Sequence, residues 1–255
     1  MGKYFTVNVK PTIAASLQHI GAFGAGDVLF DWTSFNIPKG AAKLCGATAL
    51  IRPKGSDRPA SNNFAISLIF GKSGSTIGYA NDIAFLSKKQ TNDIIGSIEL
   101  AVADLVGPDA GVNESCLSIA SSGTHNSGSI VLSPDPTSGT NVGYDQYYVA
   151  GIANGAIDFS SINAIAEDTD ALHVDSQTIT VDGSGMDIGE HFIADDIIHI
   201  GTTVGAPAAD SLIGTVATID SATTFTLDDV SPTALVDGDI LYNINPIRLV
   251  LHFEK

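Results

Sequence analysis

The stretch Pro246-Ile247-Arg248-Leu249-Val250-Leu251-His252-Phe253, close to the end of the 255 residues, decides the fold. Ile247, Leu249, Leu251 and Phe253 share one side of a two-residue period, and Arg248, Val250 and His252 share the other. That alternation describes a strand with one buried face. Such a strand needs neighbours for its N–H and C=O groups. Arg248 is also the first basic residue since Lys89. Its charge character matches residues 1–89, which hold ten of the twelve basic residues, and not the segment immediately before it. We therefore expect this strand to return to the N-terminal region and pair beside Tyr4–Val9. There Phe5, Val7 and Val9 alternate with Tyr4, Thr6 and Asn8. The acidic segment between is then an insertion, which exposed loops tolerate because chain ends tend to lie close together.

Period two dominates the rest of the chain as well. Val28–Phe35 reads as a strand followed by the turn signal Ile37-Pro38-Lys39-Gly40, and Leu44–Arg52, Phe64–Phe70, Ile94–Val102, Cys116–Ala120 and Gln146–Ile152 read as further strands. The Gly- and Ser-rich stretches 121–129 and 133–143 look like loops on this scaffold. From about Leu172 short strands recur more closely: Gln177–Val181, Ile197–Ile200, Ile213–Ile219, Thr223–Leu227 and Ile240–Asn243. Thr215–Leu227 has the pattern of a hairpin around Asp220-Ser221-Ala222-Thr223. No helical stripe exceeds two turns. The pattern predicts an all-β chain: a jelly-roll-like β-sandwich over residues 1–170 plus 245–255. A small acidic β-barrel or sandwich module, 171–244, is inserted before the last strand.

Charge narrows the function. The window between Lys89 and Arg248 holds 23 of the 28 acids and no lysine or arginine, and the whole chain carries −16. Nothing there can neutralise a phosphate backbone, and the N-terminal cations are spread out, so nucleic-acid binding is not expected. No stretch is long and apolar enough to span a membrane, and the N-terminus has no signal-peptide pattern, which points to a product made in the cytoplasm. Cys45 and Cys116 lack CxxC spacing and nearby histidines, which argues against zinc. One disulfide remains open, with Cys45 as a small buried hydrophobe the simpler reading.

A search for chemistry leaves little. Gly71-Lys72-Ser73 follows strand-like residues instead of the glycine-rich approach of a P-loop, and no Gly-x-Ser-x-Gly elbow occurs. His125 sits in a Gly/Ser loop without a held partner. His173, His191 and His199 lack a ligand rhythm and read as surface or strand-edge residues. Calcium is the one ion with candidate ligands, Asp182, Asp187, Asp237 and Asp239, set around flexible glycines. Turn-forming Asp and Gly explain the same residues without an ion. No carboxylate pair is marked out for sugar hydrolysis, and Tyr144, Tyr147 and Tyr148 read as cross-strand packing. No catalytic constellation emerges, and we expect no enzyme and no cofactor.

The phrases Asp195-Asp196-Ile197-Ile198-His199-Ile200-Gly201, Leu212–Leu227 and Asp237-Gly238-Asp239-Ile240-Leu241-Tyr242-Asn243 resemble small β modules that recur in structural proteins of tailed bacteriophages, particularly marine ones. Phe30–Gly40 is similar to phage virion proteins in which a strand leads into a jelly-roll-like sandwich. The resemblance covers about half the chain. It implies a virion component with no enzymatic residues to carry over. The expectation is a capsid decoration or cement protein on the outer capsid surface, bound to the major capsid protein, with a homotrimer suited to a local symmetry axis. The basic N-terminal part of the sandwich would face the shell through Lys3, Lys10, Lys39, Lys43, Arg52, Lys54 and Arg58, and the acidic module would project outward. The alternative is a tail or head fibre module that binds a receptor or glycan through loops 121–143. A secreted hydrolase is a third class for which the residues supply no acid pair.

Overall fold

The computed structural model describes residues 2–19, 23–52, 64–74, 93–104, 115–120, 130–132, 144–157, 159, 162–163, 177–181, 187–202 and 209–255. In chain order these form β1 (Tyr4–Val9), a short helix α1 (Ala15–His19), β2 (Val28–Pro38), β3 (Ala42–Ile51), β4 (Ile66–Gly71) and β5 (Ile94–Leu100). Next come β6 (Ser115–Ala120), β7 (Ile130–Leu132), β8 (Tyr144–Ala153), β9 (Ile162–Asn163) and β10 (Thr178–Thr180). The chain closes with β11 (Ile197–Thr202), β12 (Leu212–Ile219), β13 (Thr224–Leu227), β14 (Ile240–Asn243) and β15 (Ile247–Glu254).

The final strand pairs where its pattern predicts. β15 lies antiparallel to β1, with Phe5 opposite Phe253 and Val9 opposite Leu249. On its other side it pairs with β3, from Ile247 opposite Ile51 to Glu254 opposite Lys43. The first sheet runs β1-β15-β3-β6, with β7 continuing the β6 edge along the start of β3. The second runs β2-β8-β4-β5. Counting β6 and β7 as one position, the chain crosses between the sheets in the order of a jelly roll, two Greek keys facing each other.

Alternation builds the core. Ile247, Leu249, Leu251 and Phe253 point inward with 0–1% exposure, while Arg248 between them is exposed. They meet Leu68, Phe70, Tyr147 and Val149 of the second sheet in one continuous cluster. Phe35 joins the layers, its ring 6.2 Å from Phe253 and 6.3 Å from Phe70. Gly151 is bare for a reason, since a Cβ there would lie 2.2 Å from the Phe30 ring. β2 continues through Ile37 and Pro38, so the turn falls on Lys39-Gly40, with Gly40 at φ +109°. Ile37 is fully buried, and that packing outweighs the turn signal read there.

The acidic segment has its own core. A six-stranded antiparallel sheet, β10-β13-β12-β11-β14-β9, buries Ile179, Ile198, Ile200, Ile213, Phe225 and Leu241, closed over by Ile188, Phe192 and Leu235. The β12–β13 hairpin turns at Asp220, whose N–H donates to Thr224 O at 3.0 Å. β9 pairs with β14, so this sheet takes one short strand from ahead of residue 171.

Because β15 is central in its sheet and Leu251 is fully buried there, Leu251→Ala should cost about 2–5 kcal/mol. The expected readout is a lower urea midpoint with an unchanged slope. A midpoint within experimental error of the parent would contradict this placement of the strand.

Candidate functional site

Seven of the described cations fall into two groups at opposite ends of the first sheet. Lys3 and Lys255 exchange backbone hydrogen bonds at 3.0 and 2.9 Å, and the Lys255 ammonium donates to the Lys39 carbonyl. Lys43 stands opposite Glu254 in the ladder. Lys3, Lys39, Lys43 and Lys255 are all exposed and form a basic end around the β2–β3 turn. Two acids temper it: Asp145, which accepts from the Gly40 N–H at 2.9 Å, and Glu254, which accepts from the Tyr4 hydroxyl at 3.2 Å. The Glu254 hydrogen bond, with its charge, raises the Tyr4 pKa.

At the other end β1, β15 and β3 bring Lys10, Arg248 and Arg52 together, against the inserted module. Arg52 pairs with Asp196 at 3.1 Å, and the two side chains are only 12% and 6% exposed. The same Asp196 oxygen accepts from the Ile193 N–H at 3.0 Å. Burial raises the Asp196 pKa, while Arg52, the Ile193 N–H, the Asn243 amide and Lys10 act in the opposite sense. Residues 11–19 tie the seam further. The Gln18 amide donates to the Ile13 and Asn243 carbonyls, both at 2.8 Å, and Ile13 N–H reaches Ile244 O at 2.8 Å. The Asp210 carboxylate accepts from the backbone N–H and the hydroxyl of Ser16. Asp210 does so at φ +66°, a left-handed conformation that Asp tolerates better than most residues.

The structure thus places the seven nominated shell-contact residues unequally. Lys3, Lys39 and Lys43 stand at the free basic end. Lys10 and Arg52 face the module, and Lys54 and Arg58 lie outside the described residues. Neither Lys255 nor Arg248 was nominated, although strand pairing at the terminus implies that Lys255 joins Lys3. Among the calcium candidates, Asp187 caps a turn of 3-10 helix by accepting from Gly189 N–H at 3.0 Å. Asp239 is fully buried and accepts from Val236 N–H at 3.0 Å. Asp237 is exposed, and Asp182 lies outside the described residues. Among the described residues no three His, Cys, Asp or Glu side chains converge as a metal site.

His191 departs from the surface reading. It is 2% exposed, and neither ring nitrogen finds a hydrogen-bond partner among the described residues. Burial, followed by the Arg52 charge, lowers its pKa to about 4, with Asp187 pulling the other way. His199 is half-buried on β11; His125, His173 and loops 121–129 and 133–143 lie outside the described residues. Cys45 is a free, half-buried thiol rather than a core residue. Cys116 stands opposite Leu50 on β3. Five residues of strand, about 16 Å, separate that point from Cys45, too far for a disulfide. Tyr147 packs in the core, 6.1 Å from Phe35, with burial pushing its pKa up to about 12.

No known protein family and no curated protein matches the chain. Among solved structures, one titled "Cucumber Leaf Spot Virus" aligns over 99% of this chain and 90% of its own, at 12% identity and a TM-score of 0.12. Agreement that low carries no argument about fold or function. No helix among the described residues is long and apolar enough to cross a membrane.

Two outcomes follow from the seam. Unfolded His191 takes its proton near 6.5 but folded His191 only near 4, so the unfolded state binds more protons between those values and stability falls as pH drops from about 6.5 to about 4, by up to about 3 kcal/mol. The raised Asp196 works in the opposite direction and offsets part of the fall. Urea titrations across that range should show a flatter dependence for His191→Leu; parallel curves would refute the assignment. Arg52→Ala strands a buried carboxylate and should cost about 3–5 kcal/mol. The loss should shrink in the Arg52→Ala/Asp196→Asn double variant, as measured by the same titration.

Proposed function

We propose that this chain is a non-enzymatic virion structural protein of a tailed bacteriophage, a decoration protein seated on the outer surface of the capsid shell. The observation that supports this reading most directly is the electrical polarity of the molecule along the first sheet. One end presents Lys3, Lys39, Lys43 and Lys255 to solvent. Beyond the other end, the module exposes Asp187, Asp195, Asp220, Asp228, Asp229 and Asp237. The basic end suits docking on an acidic shell through many weak, additive contacts, which steer encounter and fix orientation. The acidic end then projects outward, where like charge keeps neighbouring particles apart.

Jelly-roll sandwiches are common in viral capsid proteins. The partner is the major capsid protein, and a homotrimer on a local symmetry axis would multiply the contact area through avidity. The charged contact surface carries no catalytic requirement, in keeping with the absence of any catalytic constellation in the sequence.

Reversing the free basic end, Lys3→Glu, Lys39→Glu, Lys43→Glu and Lys255→Glu together, should weaken co-sedimentation with capsid shells by about tenfold or more, and raising salt should weaken the parent protein in the same way. Unchanged shell occupancy would refute the reading. Native mass should correspond to a trimer, with and without EDTA; a mass that falls on chelation would point back to the Asp-Gly loops as ion sites.

A further inference from the structure

The seam between sandwich and module contains a pocket of about 130 Å³ lined by Lys10, Arg52, Arg248 and Asp196, with Leu50 and Pro246 forming an apolar wall. Three of the chain's twelve cations converge there. They arrive from three strands that neighbour one another, β1, β15 and β3, because the register brings their ends level: Val9 faces Leu249, and Arg248 faces Leu50. Asp196 is the one carboxylate that lines this pocket with them. The Asp196 oxygen that meets Arg52 already accepts from the Ile193 N–H. Asp195 beside it is exposed, and Asp210 is held by Ser16. A surplus of positive charge therefore faces a concave, partly apolar space.

We propose that this pocket is an oxyanion site that takes a tetrahedral, phosphate-class ion between Lys10, Arg52 and Arg248. The volume is that of about four waters in the liquid, enough for such an ion without its outer hydration. Arginine forks match the paired oxygens of a tetrahedral oxyanion, and lysine adds a point charge with three donors. Arg248 spends one N–H on Asn8, at 3.2 Å, and has others to offer. The apolar wall of Leu50 and Pro246 thins the water on one side and strengthens each of these interactions. Complementing the module's acidity does not account for the cluster, since the one carboxylate lining the pocket already has Arg52 as its partner. A bound ion would neutralise the remaining charge where the module docks, and would stabilise the folded chain by mass action because the unfolded chain lacks the site.

The test uses the full chain and inorganic phosphate, compared with chloride at matched ionic strength, read by thermal unfolding and by NMR shifts of the seam. Phosphate should raise the melting temperature saturably above the chloride control. Lys10→Gln/Arg248→Gln, both exposed positions where folding should persist, should weaken apparent phosphate affinity by about tenfold or more, whereas Lys39→Gln/Lys43→Gln at the far end should leave it nearly unchanged. A glycerol phosphate arm separates sources: equal binding means the site accepts a phosphate group on a larger molecule, and binding of inorganic phosphate alone means a free ion. Chloride matching phosphate, or the far-end variant losing as much as the seam variant, would overturn the proposal.

Discussion

The structure depends on β15 being held between β1 and β3. Both partners come from the first 51 residues, so the sheet is complete only when the last residues of the chain arrive. The strand supplies four inward side chains, and one of them, Phe253, stacks on Phe5 at 5.2 Å and touches Phe35 of the opposite sheet. Remove it, and β1 loses its only partner in the first sheet while the core loses its floor. Such contacts between distant parts of the chain must overcome loop closure before they return any energy. The same placement fixes the module: its chain leaves near the end of β8 and must return at Ile247, so both of its tethers are anchored on one rigid body.

Anchored tethers alone would let the module swing. What restrains it is mostly polar: the Arg52–Asp196 pair, the Gln18 amide shared with Asn243, and Asp210 on Ser16. The apolar part is small, Ala15 against Tyr242 and Ile244. Apolar packing tolerates sliding, whereas a buried ion pair and directed hydrogen bonds are satisfied in one geometry. The net stability a buried pair adds is modest, because desolvation offsets attraction. Its value here is orientation: a mismatched docking would leave Asp196 and Arg52 buried without each other. His191 raises the stakes by placing a neutral, unpaired ring beside the same arginine.

Much of this was legible in the sequence because period two and the charge gap are both one-dimensional signals. The return of β15 to β1 could be read from the alternation over Pro246–Phe253 together with the basic character that Arg248 restores, and β14 matches its expected bounds. The misses have physical causes. β2 runs through Ile37-Pro38 because the burial of Ile37 outweighs local turn chemistry. The two-residue β9 and three-residue β7 are too short to show a period. The seam was invisible because its residues lie far apart: Arg52 and Asp196 are separated by 144 positions, Gln18 and Asn243 by 225. Nor does a histidine among carboxylates announce its burial. His191 is covered because it follows a turn whose Ile188 and Phe192 close the module core.

The module's acidity has two origins that must be separated. Several carboxylates shape turns: Asp187 caps its 3-10 turn, Asp239 holds Val236, and Asp220 accepts from Thr218 and Thr226. Turn chemistry accounts for these, and Asn or Ser could have served in most of them. It does not account for the other half of the pattern, the total lack of Lys and Arg from residue 90 to 247. Exposed strand positions such as Thr218 and Leu212 would accept lysine without strain and would gain solubility from it. Their neutrality keeps the field of the module of one sign. A single-signed field repels its own kind and tends to push the module off any acidic surface, the sandwich excepted. The cations that meet it at the seam, Lys10, Arg52 and Arg248, are all supplied by the sandwich side, so the acidic module docks through positive charge that it does not itself carry.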